Sequence, residues 1–131
     1  MMRNKDMPTT VKIVIKDVTL DAEFFDTECA KAIVAAMPID AQPNEWGDEF
    51  YFTIPVQHAL DHTATTSVVV GDIGYWPPGS ALAIFFGPTP MSTGTEPVPA
   101  NAVNVVGKIT GNPALLRNAR GARTIRIEPK T

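Results

Sequence analysis

The sequence predicts a mainly β fold, a barrel or sandwich of short strands with one helix plugging a side. Three observations predict it. Apolar and polar residues alternate in short runs such as Val11–Ile15, Phe50–Ile54 and Val103–Ile109, the two-residue period of a half-buried strand. The chain is punctuated by 12 prolines and 9 glycines, which leave most of its second half too interrupted for helices. Thr27–Met37 alone combines freedom from both with an apolar stripe at helical spacing. At 131 residues the chain fits one domain. Folding a chain of this size buries about two-thirds of its surface, enough for a single core.

The elements follow in chain order. Residues 1–9 form a polar lead-in, expected to be flexible, and the domain spans 10–131. Val11, Ile13 and Ile15 share one face of the first strand, with Lys12 and Val14 on the other. Lys16–Asp17 reads as a turn into a second strand, Thr19–Phe25, whose Leu20, Ala22 and Phe24 point one way; so short a polar break makes the pair a hairpin. Asp26 or Thr27 can cap the next element, since either side-chain oxygen accepts an orphan backbone N–H. In that helix, about residues 27–37, Ala30, Ile33, Val34 and Met37 fall at i, i+3, i+4 and i+7, and Pro38 stops the run.

Asp40–Asn44 reads as a loop, followed by a strand over Phe50–Ile54. Thr65–Val70 is rich in β-branched residues and reads as a buried strand. Tyr75-Trp76-Pro77-Pro78-Gly79 reads as a stiff loop, because two prolines fix φ and Gly79 can take the turn. Ala81–Phe86 is apolar on both faces, as in a central or barrel-forming strand. Val103–Ile109 alternates again. Asn112-Pro113 sets a cap before a proline at the first helical position, so a short helical turn is expected near 113–119, with Gly121 as its stop. Ala122–Glu128 closes the chain as a strand. Phe24, Phe50, Phe52, Leu82 or Phe85, Val105 and Ile127 are the side chains expected to fill the interior.

Composition excludes several classes of function. Apolar residues make up 44% and charged residues 19%, a globular balance. A single cysteine, Cys29, allows no internal disulfide and no multi-cysteine zinc site. No apolar run approaches the roughly 18 residues of a membrane span. The polar N-terminus lacks an apolar signal core, so a cytoplasmic location is expected. The net charge of −3 is unevenly spread: residues 32–107 hold seven carboxylates and no lysine or arginine. A surface built from that block cannot neutralise phosphates, so no nucleic-acid partner is expected. Four arginines between Arg117 and Arg126 read as a solvated face.

Three segments go beyond generic patterning: Asn44-Glu45-Trp46-Gly47-Asp48-Glu49-Phe50-Tyr51-Phe52; Gly71-Asp72-Ile73-Gly74-Tyr75-Trp76-Pro77-Pro78-Gly79 with the strand after it; and Asn101-Ala102-Val103-Asn104-Val105-Val106-Gly107. Over roughly Thr10–Glu128 the chain resembles a family of small, largely uncharacterised bacterial and archaeal proteins with a cyclophilin-like fold, atypical relatives of peptidyl-prolyl isomerases. The resemblance implies a closed eight-stranded barrel with a helix over an end. It implies no particular reaction.

Isomerases of this fold place an arginine against the prolyl nitrogen, where it favours the twisted amide over the planar one. Here the middle of the chain has no arginine; the nearest in sequence are Arg3 and Arg117. Classical isomerase chemistry is therefore disfavoured, and a divergent isomerase stands as an alternative.

Glu45, Trp46, Asp48, Glu49 and Tyr51, with Tyr75, Trp76 and Phe86, contain every tryptophan and tyrosine of the chain. Carboxylates beside aromatic rings suit a pocket for a neutral or cationic small molecule or short peptide. The competing reading is that the rings pack a barrel end or form a subunit interface in a structural scaffold, and a homodimer is expected. If Phe50 and Phe52 point inward, Asp48 shares their face and becomes the buried carboxylate, while Glu49 follows Tyr51. Solvated or loop-capping acids are the simpler reading of the trio.

His58 and His62 are four apart, but Pro55–Asp61 is not clearly helical and no third ligand is evident, so no metal or other cofactor is expected. Cys29 reads as a buried thiol beside the helix stripe. Gly71-Asp72-Ile73-Gly74 lacks the lysine and helix of a phosphate loop. Met91–Asn101 reads as a flexible exposed loop, with a lid over the pocket as the alternative.

Overall fold

A computed structural model describes residues 8–130. The first seven residues of the expected lead-in lie outside the described residues, and Thr9 already belongs to the first strand. Strand β1 (Thr9–Ile15) turns at Lys16, which takes a left-handed φ of 54°, into β2 (Val18–Phe24). The register pairs Val11 with Ala22, Ile13 with Leu20 and Ile15 with Val18, so these six side chains make one face of the hairpin apolar and buried. Helix α1 (Glu28–Ala35) follows, shorter at both ends than its apolar stripe suggested. Thr27 stays outside it as the cap, its hydroxyl accepting from the Ala30 N–H at 3.2 Å. Cys29, Ala30 and Ile33 are its buried residues.

The segment expected to be a loop after the helix carries two short strands, β3 (Ile39–Ala41) and β4 (Asn44–Glu45). Strand β5 (Glu49–Thr53) forms as its alternation predicts. The run Thr65–Val70 does not: only β6 (Ala64–Thr65) is strand, Val69 and Val70 are exposed, and Val68 alone is buried. β-Branching favours a strand only where a pleated, half-covered surface waits for it, and here just two residues find the edge of a neighbour. Strand β7 (Asp72–Trp76) occupies a stretch that the sequence reading gave to a glycine-rich motif and a stiff loop. Pro77–Gly79 is a single 3-10 turn, and Ser80, not Gly79, takes the left-handed conformation that ends it. Strands β8 (Ala81–Phe85) and β9 (Val103–Ile109), a 3-10 helix over Pro113–Ala119 and β10 (Ile125–Pro129) complete the chain. Asn112 caps that 3-10 helix through the Ala114 N–H. No helix of the described residues is long and apolar enough to cross a membrane.

The strands form one antiparallel sheet in the order β3-β10-β1-β2-β9-β7-β8-β5-β4, with β6 paired to β9 off that path. The closed eight-stranded barrel is thereby corrected to a curled half-barrel: β3 and β4, at the two ends, are not paired to each other. They are consecutive in the chain, however, so Gln42-Pro43 joins the two edges covalently where no ladder does. Both edge strands are short, which limits the unpaired backbone a neighbouring molecule could add to.

The main core lies on one face of the sheet and includes Phe24, Phe50, Phe52, Leu82, Phe86 and Ile127. Val105, expected among them, belongs to the opposite face. The cause is a bulge: Ile73 faces Gly107, Gly74 faces Val105, and Val106 is left over between them. One extra residue reverses the parity, so Val106 enters the main core instead. A second apolar cluster, built on Val68, Ala83, Phe85 and Val103 with Tyr51, Trp76 and Val105 packed against it, covers the other face of β5, β7, β8 and β9.

Candidate functional site

That second face holds a cavity. Paired registers set its floor: Glu49 opposes Phe85, Tyr51 opposes Ala83, and Ala83 in turn opposes Gly74. Trp46, Trp76, Pro99, Ala100, Asn101 and Val103 complete the wall of a space of about 240 Å³. Sites for drug-sized ligands span roughly 300–1,000 Å³, so an occupant of this one is small. Two of its wall residues, Val103 and Trp76, sit tight against glycines. A Cβ on Gly74 would sit 2.7 Å from a methyl of Val103, and one on Gly79 would sit 2.7 Å from the Trp76 ring. Gly79 thus seats an indole, while Ser80 takes the left-handed conformation.

Glu49 is the buried carboxylate, 7% exposed, and burial pushes it up to about 7. Its Oε1 and the Nε1 of Trp76 are buried without a hydrogen-bond partner. Leaving such a group unpaired costs about 1–3 kcal/mol; two in residues lining one apolar cavity call for a partner that the described residues do not supply. No lysine or arginine among the described residues lines the space.

The excursion after β8 is not a loose loop. Thr89 is buried, its hydroxyl donates to the Val98 carbonyl at 2.5 Å, and the Ser92 hydroxyl donates to the Glu96 carbonyl at 2.7 Å. Pro99, Ala100 and Asn101 from this segment form a wall of the cavity.

The residues singled out in the sequence therefore separate into three groups. Trp46, Glu49, Tyr51 and Trp76 meet at the cavity. Glu45, Asp48 and Phe86 lie elsewhere, in a latch to the C-terminal segment. Arg120 donates to Glu45 Oε1 at 3.1 Å and to Asp48, Arg117 reaches Asp48 Oδ2 at 3.3 Å, and the Gly121 N–H donates to Glu45 Oε2 at 2.7 Å. The Arg120 guanidinium also covers the Phe86 ring, which stacks on Phe50 at 5.1 Å in the main core. The expectation that Asp48 is the buried carboxylate is overturned: it is half-buried and faces these arginines, and Glu49 is the buried one. Both faces of β5 are covered, and alternation could not tell which carboxylate meets a cation. Nor are the C-terminal arginines a merely solvated face, for Arg126 also pairs with Asp40 at 2.7 Å.

Tyr75 is the third case. It is fully buried on the main-core face, its hydroxyl donates to the Val56 carbonyl at 2.7 Å and accepts from the His58 N–H at 3.1 Å. Its work is to hold the segment between β5 and β6. Sequence reasoning missed Asn104, which is fully buried and holds the same segment. Its Oδ1 accepts from the Asp61 N–H at 2.8 Å and its Nδ2 donates to the Ala59 carbonyl at 2.9 Å. A polar residue inside an otherwise apolar strand, Val103-Asn104-Val105-Val106, was the signal available.

Comparison with known proteins places this geometry in a lineage. A sequence profile described as cyclophilin-like matches residues 9–128. A hypothetical protein of Archaeoglobus fulgidus, known from a solution structure, is 32% identical, with a TM-score of 0.80 over 98% of both chains. McbB, solved in complex with tryptophan, shares the fold at a TM-score of 0.67 and 14% identity, over 92% of this chain and 44% of its own. No functionally curated protein matches.

Proposed function

Since the chain belongs to the cyclophilin-like family, we propose that it binds a small flat molecule bearing a basic nitrogen in the cavity walled by Trp46, Tyr51 and Trp76. The observation that carries this reading is the pair of unpartnered polar atoms, Glu49 Oε1 and Trp76 Nε1, in residues lining one apolar space. An amine N–H satisfies the first and an acceptor atom the second. The rings add cation–π and stacking contacts. Specificity follows from the cost of the alternative, since a ligand lacking the amine leaves the carboxylate buried and unpaired.

A carboxyl that titrates near neutrality can also pass a proton to or from whatever it holds. Isomerase chemistry has less support at this cavity, because the described residues lining it bring no guanidinium to a prolyl nitrogen.

Thermal shift and tryptophan fluorescence test the proposal, with aromatic amines as probes. Tryptophan and tryptamine are the first two, the former because McbB is known bound to it. A probe at a hundredfold excess over its Kd stabilises by about 2.7 kcal/mol. Its affinity is expected to rise about tenfold per pH unit below 7, as Glu49 ionises, and then level. Glu49→Gln should abolish that pH dependence and Trp76→Phe should weaken binding. A set of aromatic amines that binds nowhere between pH 6 and 9, or binds equally well to both variants, overturns it.

A further inference from the structure

We propose that Cys29, His58 and Asp61 form a binding site for a divalent transition-metal ion of the zinc class. The site is separate from the cavity and does not depend on the function proposed for it. The three residues come from two distant parts of the chain, the first turn of α1 and the segment between β5 and β6. Their donor atoms, a thiol sulfur, an imidazole nitrogen and a carboxylate oxygen, all lie within 4.8 Å of one another. One sulfur, one nitrogen and one oxygen donor suit a borderline-soft ion such as Zn²⁺, which takes all three ligand types and leaves a fourth position for water.

Each ligand is held ready from behind. The Nδ1 of His58 lies 2.8 Å from the Ala59 carbonyl. A carbonyl only accepts, so Nδ1 carries the proton and Nε2 keeps its lone pair, the second-shell arrangement of metal-bound histidines. Asp61 Oδ1 accepts from the Thr63 N–H at 2.8 Å and from its hydroxyl at 2.6 Å. Asn104 fixes the backbone of this segment at both Ala59 and Asp61.

Cys29 is fully buried, and its thiol is raised first by that burial and then by Asp61, against a lowering hydrogen bond from Asn104. A dication placed between the groups reverses the electrostatics. The metal–sulfur bond forms as the S–H proton leaves to solvent, and the thiolate and carboxylate, mutually repulsive without the ion, then share it.

Cobalt(II) is the probe, because thiolate ligation gives it a charge-transfer absorption that imidazole and carboxylate do not. Titrating the reduced 131-residue chain is expected to give one bound equivalent carrying that band, displaced by Zn²⁺. His58→Ala should remove the binding. Cys29→Ser should remove the band. Asn104→Ala, which loosens the support rather than a ligand, should weaken binding 10–100-fold. His62→Ala, at an exposed position, should bind as the parent does. Because Cys29 lies in the core, folding of each variant is checked from its melting midpoint; His58→Ala tests the site with the core intact. Absence of a thiolate band, or binding that survives His58→Ala, overturns the proposal.

Discussion

At the scale of single residues, Glu49 governs how stability responds to pH. Its ordinary value is 4.5, and inside the fold it lies near 7. Between those values the folded state keeps a proton that the unfolded state has lost. Stability therefore falls as pH rises through this window and is level above it. At about 1.4 kcal/mol per pKa unit the loss is at most about 3 kcal/mol. Glu49→Gln cannot titrate, so it should match the parent at pH 4.5 and exceed it by about 2–3 kcal/mol at pH 8. Denaturant unfolding at the two pH values measures this, and equal differences at both refute it. The sequence made Glu49 a candidate through its place beside Trp46 and Tyr51, but alternation put Asp48, not Glu49, on the inward face of Phe50 and Phe52. Alternation says which residues share a face. What covers that face was illegible, because Pro99–Asn101 comes from some fifty positions downstream and the arginines opposite Asp48 from about seventy.

Among elements, β7 decides whether the cavity exists. Its two faces do different jobs: Ile73 and Tyr75 fill the main core, while Gly74 lies against Val103 and Trp76 lines the cavity. Gly79, just beyond, supports the indole. Gly79→Ala forces a Cβ against Trp76 Cζ3 and Cε3, at 2.7 and 2.8 Å, so the ring must tilt. Overpacking of this kind costs about 1–3 kcal/mol. The expected outcome is a loss of stability in that range, a shift in tryptophan emission and weaker binding of any aromatic amine that the parent takes. Gly94→Ala, with nothing within 4 Å of the added carbon, should change none of the three. An indole emission unaltered by Gly79→Ala would show that the ring does not rest there. Strands with clean alternation, β1, β2, β5 and β9, were legible in the sequence to within a residue or two. Strand β7 was not, because Gly74, which reports a close approach of Val103, and Gly71 just before the strand look, locally, like turn signals. The same bias toward local chemistry made Thr65–Val70 a strand, although most of it has no partner to pair with.

For the whole molecule, the question is what holds the two ends of the half-barrel together. Hydrogen bonds run unbroken from β3 through β10, β1, β2, β9, β7, β8 and β5 to β4, and none joins β4 back to β3. Two other links do. One is covalent, through Gln42-Pro43. The other is the Arg120 latch, which draws the C-terminal segment onto Glu45 and Asp48; much of the charge segregation seen in the sequence resolves into these long-range pairs. Exposed pairs contribute little individually, about 0–1 kcal/mol, so the covalent link should dominate.

A circular permutant separates the two. The two ends of the described residues lie side by side, since β1 pairs with β10 and the Lys130 N–H donates to the Thr10 carbonyl at 3.0 Å. A short added linker can therefore join Pro8 to Lys130, with new termini opened between Gln42 and Pro43. The permutant should fold, because all the strand pairs persist. Amide exchange should speed up in β3 and β4 while β1, β2, β9 and β7 stay protected, and stability should become salt-dependent as the latch alone spans the gap. Adding Arg120→Met to the permutant should then cost more than the same change in the parent, a coupling that a double-mutant cycle reads directly. Additive costs would mean that the two links do not share the task. A permutant as protected in β3 and β4 as the parent would mean that the edges are held by contacts other than these.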